Sequence, residues 1–169
     1  MASLAHVSVG LAAGKWRASW GGTSFWLAAL TYAALAMLPD ADVIAFVFRI
    51  PYLAPFGHRG ATHSLVFAAV VALLARFVFR RPTRVAALIF GVIATHPVLD
   101  MFTDGGGGCA LLWPFTSERY FWPWRPIPVA PIGLGMFSQR GAMVLAIEFV
   151  ATLPLIIWAL VSPKQADAR

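Results

Sequence analysis

Chemistry-bearing side chains are scarce in this chain. Its 169 residues include one cysteine, seven acidic residues and four histidines. The lone cysteine, Cys109, has no partner for an intrachain disulfide, so cysteine usage does not fix a redox compartment. Charge is equally sparse. Lys, Arg, Asp and Glu together make up 12% of the chain, against ~25% in soluble domains. With 60% hydrophobic residues and a mean hydropathy of +0.76, this excludes an ordinary soluble domain and predicts an integral membrane protein. No HExxH occurs, which removes the sequence signature of one class of membrane protease. The opening residues, MASLAHVSVGLAAGKW, have no basic stretch ahead of the apolar run, so no cleaved signal peptide is expected. Without repeats or linkers, residues 1–169 read as one membrane-embedded domain.

The net charge of +6 and the pI near 10.5 would suit nucleic acid, but the positions of the charges argue otherwise. Arg76, Arg80, Arg81 and Arg84 sit at the ends of apolar runs, where basic residues orient a membrane protein. No nucleic acid is expected as a stable partner; the lipid bilayer is.

The hydrophobic pattern predicts an all-α fold of about four transmembrane helices and a short N-terminal helix. Residues 3–14 are apolar but too short to span at ~20 residues per crossing. A first crossing is expected over 23–38, ending at Pro39. Residues 43–57, broken by Arg49, Pro51, Pro55 and Gly57, read as an interfacial or re-entrant piece. Crossings over 65–79, 85–102 and 142–161 follow. Between the last two lies a loop, 109–140, with six aromatics from Trp113 to Trp124 and five prolines from Pro114 to Pro131. It suits the headgroup region. The tail SPKQADAR reads as polar and frayed. The basic turn RRPTR at 80–84 predicts a cytoplasmic position, with Lys15, Arg17 and Lys164 on the same side. Asp40, Asp42, His58, His63, Asp100 and Asp104 then fall near the extracytoplasmic face. His6 is only ~14 Å of helix from Lys15, so it reaches them only if the site is sunk below the outer surface.

The segment Val85–Gly106 carries His96 and Asp100, four residues apart and on one helical face. Ionisable groups at membrane depth are expensive and face a partner or a water-filled cavity. An imidazole and a carboxylate one turn apart are ready metal ligands. Each polar residue also has an ordinary reading. Asp40 and Asp42 after Pro39 could shape a turn or an N-cap, His58 and Arg59 could be interfacial, and Thr62 and Ser64 could cap the next helix. Jointly, every histidine lies beside or opposite a carboxylate near one membrane face. The expected ligands are His6, Asp40, His58, His63, His96 and Asp100. The ligand set suits one or two divalent ions, zinc first, with manganese and iron as alternatives. Six ligands exceed one tetrahedral site and favour a two-metal catalytic centre acting on a phosphoryl group. Asp42 is read as orienting a ligand or acting as general base. Arg59 is read as holding phosphate oxygens, its ordinary alternative being a snorkelling arginine. Thr103 and Asp104 are candidates to support the ligands. Glu148 stays outside the site, as a partner for an arginine.

Three motifs in this order, LPDAD (38–42), HRGATHS (58–64) and HPVLDMFTDG (96–105), follow a histidine near the N-terminus. Together they resemble the YdjM-like family, described as LexA-regulated inner-membrane metal-dependent hydrolases of bacteria and archaea. The resemblance runs from His6 to about Pro114, and beyond that only as a hydrophobic tail. That family is distantly similar to zinc-dependent phospholipase C and the P1-type nucleases, which are all-helical with a multinuclear zinc site. Those enzymes have a His-x-x-x-Asp helix, matched by His96 and Asp100, and a metal-bridging aspartate, which Asp40 could supply. No second such helix is present, which argues against a third metal. The resemblance implies a hydrolase of the inner membrane, acting on a phosphoester in a lipid or another membrane-proximal substrate. The rival is a non-catalytic membrane protein whose metal is structural or transported.

Overall fold

The computed structural model describes residues 3–161, and within them the protein is all-helical. The polar tail, with Lys164, lies outside the described residues. Five α-helices follow one another: α1 (Ser3–Ser19), α2 (Phe25–Met37), α3 (Leu65–Leu73), α4 (Thr83–Asp100) and α5 (Gln139–Leu160). The chain direction alternates from α1 to α4, so the four histidines and Asp40, Asp42, Asp100 and Asp104 collect at one end of the bundle. Arg17, Arg76, Arg80, Arg81 and Arg84 collect at the other.

The N-terminal helix is longer than its apolar run suggested, reaching Ser19 instead of residue 14. It does not lie apart from the bundle but packs along its length on α2. The reason is a pair of glycines. A Cβ on Gly10 would sit 2.3 Å from the Ala33 Cα, and one on Gly14 would sit 2.4 Å from the Ala29 Cα. Small residues at this spacing let two helices pack backbone to backbone in lipid, where packing drives association. We expect Gly14→Val to force α1 off α2 and cost about 1–3 kcal/mol by overpacking. Thermal unfolding in detergent measures it. Gly91→Ala is the control, because a Cβ there meets nothing within 4 Å and no loss of stability is expected.

Pro39 does not stop the helical path after α2. The chain tightens into a 3-10 helix from Leu38 to Phe46, with Pro39 in its first turn. A proline is tolerated there because first-turn N–H groups have no intrahelical acceptor. Asp40 and Asp42 therefore stand on a rigid helical extension and not in a loose turn. Phe25–Phe46, Thr83–Asp100 and Gln139–Leu160 are long and apolar enough to cross a membrane. The expected crossing over 65–79 is shorter: nine residues of α3, then a five-residue π-helical turn, Leu74–Val78.

The interior is built from small residues, among them Ala28, Ala36, Ala68, Ala72 and Ala75, packed with Ile89 and Ile93. The large apolar side chains point outward. Leu30, Phe77 and Val150 are each 69% exposed. This inverts the arrangement of a soluble domain and matches a bundle whose solvent is hydrocarbon.

The long aromatic loop is irregular, as expected, apart from a short 3-10 turn over Gly133–Phe137. It folds back on the polar end through two isolated bridges, Thr103 with Ile127 and Cys109 with Tyr120. α5 starts at Gln139, three residues earlier than expected, where the Ser138 hydroxyl accepts from the Gly141 N–H.

Candidate metal centre

Asp40, His63, His96 and Asp100 converge on one point, and none is more than 5% exposed. His96 Nε2 lies 3.4 Å from Asp40 Oδ1 and 3.8 Å from Asp100 Oδ2. His63 Nε2 lies 3.5 Å from each of the same two oxygens. Tetrahedral Zn–N and Zn–O bonds of ~2.0–2.1 Å set ligand–ligand edges of ~3.3–3.4 Å, so these separations are close to those of a single divalent ion.

The polar atoms fit an ion better than they fit one another. Among the described residues, Asp40 Oδ1 and Oδ2, His63 Nε2 and His96 Nε2 are buried without a hydrogen-bond partner, and Asp100 Oδ2 has only its ion pair with Arg59. Such atoms are costly unless something coordinates them. Both histidines have their other nitrogen engaged. His96 Nδ1 donates to the Ala36 carbonyl oxygen at 2.6 Å, and His63 Nδ1 faces Asp42 Oδ2 at 3.1 Å. The proton thus sits on Nδ1 in each ring and the Nε2 lone pair points inward, as metal-binding imidazoles require. Charge agrees as well. Three aspartates and one arginine, Arg59, leave an excess of about two negative charges for a divalent cation to balance. Burial alone would lower the pKa of His63, but without a cation Asp100, Asp40 and Asp42 outweigh burial and raise it, so the field favours a proton on Nε2 that an ion at the centre would displace.

A second group adjoins the first and shares Asp40: Asp40, Asp42 and His58 could together hold an ion. Asp42, however, is heavily engaged. Its Oδ1 is 2.6 Å from His58 Nδ1. Its Oδ2 accepts from the Arg59 N–H at 3.0 Å and from the Thr62 hydroxyl at 2.7 Å. Thr62 therefore serves Asp42, and it is Ser64 that caps α3, accepting from the Phe67 N–H at 3.0 Å.

The HRGATHS segment is locked by close backbone contacts. A Cβ on Gly57 would lie 2.1 Å from the Pro51 oxygen, and one on Gly60 would lie 2.3 Å from the Pro55 oxygen. Arg59 between them has φ +60°, a left-handed backbone that costs a non-glycine residue about 1–3 kcal/mol. It is held there by the Asp42 contact and by the Ala110 N–H donating to its carbonyl at 2.9 Å. Its guanidinium is 1% exposed, so it is no snorkelling interfacial arginine. Nε lies 3.1 Å from Asp100 Oδ2, Nη1 donates to the Gly105 oxygen at 3.2 Å, and Nη2 has no partner among the described residues.

The remaining expected residues divide. His6 is at the centre's edge, outside both groups that could hold an ion. Its ring stacks on His96 with centroids 3.6 Å apart, and its Nε2 is 3.3 Å from Asp100 Oδ1. Thr103 is fully buried, and its hydroxyl donates to the Asp100 carbonyl oxygen at 2.7 Å. Asp104 is elsewhere: it is exposed and accepts from the Val129 N–H at 2.7 Å, tying down the aromatic loop. Among the described residues, Glu148 pairs with no arginine. Its Oε2 accepts from the Leu4 N–H at 2.8 Å, which caps the start of α1 and fixes His6 half a turn further on.

Arg119 was not legible as a contributor. From the aromatic loop it donates to the carbonyls of Tyr52, Ala54, His58 and Gly108 at 3.1–3.3 Å. It thereby braces the turns that present His58 and Arg59. A basic residue in an aromatic-rich loop gives no local sign of this role.

The comparisons with known proteins follow the same lines. The Escherichia coli (strain K12) protein described as inner membrane protein YbcI is 49% identical over 109 residues. That stretch covers 62% of this chain and 63% of YbcI, so it spans less than two thirds of that relative's length. No solved structure matches. The profile of the YdjM inner membrane protein family matches residues 1–166, so the likeness does not end near Pro114 but takes in the aromatic loop and α5. A buried His/Asp cluster at one end of a bundle of apolar helices, within a match of that extent, places this chain in the YdjM inner membrane protein family.

Proposed function

We propose that this protein is a membrane-bound, metal-dependent hydrolase of a phosphoester, in a lipid or another membrane-proximal substrate. The observation that carries the reading is the convergence of buried, unbonded polar atoms of Asp40, His63 and His96 with the Asp100 carboxylate, beside a buried guanidinium. These four residues would hold the first ion, zinc by ligand type, with manganese and iron as alternatives. Asp40 and His58 would offer a second ion its ligands, with Asp42 beside them orienting His58. A bound ion supplies Lewis acidity there, polarising a phosphoryl oxygen and acidifying water.

The chain's own residues do the rest. The Ala36 carbonyl and Asp42 keep the protons on the Nδ1 atoms of His96 and His63, which leaves Nε2 free to coordinate. Because both Asp42 oxygens are engaged, we assign it to orienting His58 and His63 in preference to the general-base role. His6 supports Asp100 through Oδ1, while Arg59 meets Oδ2. Arg59 offers Nη2 to a phosphate oxygen while Nε and Nη1 hold it in place.

Burial favours a second reading. Four ligands at 5% exposure or less could close a tetrahedron entirely, as in a structural site. Metal-dependent turnover on a phosphoester panel supports the hydrolase; bound metal without turnover on any phosphoester supports the structural or transported ion.

We also assign the basic end to the cytoplasm and the metal centre to the extracytoplasmic side of a multi-pass protein. Thr83 at the start of α4 and Ser117 in the aromatic loop are both exposed. With buried Cys109 replaced, Ser117→Cys should react with an impermeant thiol reagent in intact cells and Thr83→Cys only after lysis. The opposite pattern would invert the orientation.

A further inference from the structure

The basic end of the bundle contains a feature that the metal chemistry does not use. An apolar groove of about 620 Å³ runs between α1, α4 and α5. That is within the ~300–1,000 Å³ of ligand pockets. Val9, Ala13 and Trp16 of α1 form the floor, with Gly91 and Val92 of α4 on one side and Trp158 of α5 on the other. The groove is open to its surroundings, for Trp16 is 57% exposed and Trp158 51%. Its inner end is at Thr95, whose hydroxyl is spent on the Val92 carbonyl oxygen at 2.7 Å. Its outer end is at Arg84.

Arg84 supplies the charge. It is exposed, and among the described residues it has no carboxylate partner. Its guanidinium lies 5.1 Å from the Trp20 ring centre, and the Arg17 guanidinium lies 5.9 Å from the same ring. Two arginines on a tryptophan are an arrangement suited to the headgroup level of a bilayer. From Arg84 to Thr95 the groove follows about 16 Å of helix. That is roughly half of a ~30 Å hydrocarbon core, the depth reached by chains from one leaflet.

We propose that this groove binds one anionic phospholipid, with an acyl chain between Trp16 and Trp158 and the phosphate at Arg84. Arg17 adds to the positive potential at the same headgroup. The phosphate then lies at the opposite end of the bundle from Asp40 and His63, so this lipid is not the molecule presented to the metal centre. The site is independent of the hydrolase reading. A chain lying over α1 and against α4 bears on the two helices that carry His6, His96 and Asp100.

Gly91 offers a clean test. It lines the groove, and a Cβ there meets nothing within 4 Å, so a larger side chain would enter the groove and not the helix packing. The full chain is reconstituted in vesicles of equal parts phosphatidylglycerol and phosphatidylcholine. It is then extracted in mild detergent and weighed by native mass spectrometry. Wild type should retain one phosphatidylglycerol in at least tenfold preference to phosphatidylcholine. Gly91→Phe should lose the bound lipid, with metal content unchanged. Arg84→Gln, an exposed substitution that leaves the core alone, should keep a lipid but lose the preference for the anionic one. If Gly91→Phe does not fold, Arg84→Gln alone decides. Wild type that retains no lipid or shows no preference overturns the proposal. So does a dimer of this chain free of lipid, or an Arg84→Gln protein with its preference intact.

Discussion

Replacing Asp100 with alanine should strip the protein of its metal and destabilise it by about 3–5 kcal/mol, the cost of leaving a buried charge without its partner. No other side chain joins so much of the centre. Its Oδ1 meets His6, its Oδ2 meets Arg59 and faces His63, and its carbonyl oxygen accepts from Thr103. Without the carboxylate, the Arg59 guanidinium keeps only carbonyl contacts while remaining 1% exposed. Elemental analysis and thermal unfolding in detergent read the two losses. His96→Ala separates them. It removes one inward lone pair and leaves Arg59 paired, so metal should fall while the fold suffers only the smaller cost of a cavity. Full metal retention in both variants would count decisively against the centre.

The second large effect is on turnover. Wild type should hydrolyse at least one lipid or nucleotide phosphoester in liposomes, and chelation should abolish the activity. Asp40→Asn should reduce it to background, because Asp40 is common to both groups that could hold an ion. Arg59→Lys should cost on the order of 100-fold in rate, or ~3 kcal/mol, with metal content retained. A planar guanidinium can hold Asp100 and the Gly105 carbonyl with two nitrogens and still present the third. An ammonium is a point charge on a flexible stem and cannot do all three. Turnover that survives Arg59→Lys would keep the hydrolase and remove Arg59 from substrate binding. Absence of metal-dependent turnover in wild type would leave the structural or transported metal as the standing account.

The sequence by itself determined the solvent, the class of fold and most members of the buried His/Asp cluster. Long apolar runs punctuated by arginines and prolines are helices in a bilayer, because they lack the alternation of a barrel strand and only a helix satisfies its backbone within one segment. Scarcity of charge made each histidine and aspartate conspicuous. The spacing of His96 and Asp100 on one helical turn then implied a shared face. These are local properties, and local periodicity encodes them.

Tertiary structure decided the division of labour, because the deciding contacts join residues far apart in the chain. Asp40 and Asp42 are two apart, yet one faces the converging lone pairs and the other holds His58 and His63 in place. That difference comes from a 3-10 extension beyond a proline expected to end the helix. His6 reaches Asp100 because two glycines let α1 pack against α2 and because Glu148, 144 residues away in sequence, caps α1 at Leu4. Arg119 acts on carbonyls as far back as Tyr52. Which helix packs on which, and at what depth, follows from the fit of small residues across interfaces. A one-dimensional pattern contains both halves of each such fit and nothing that matches them.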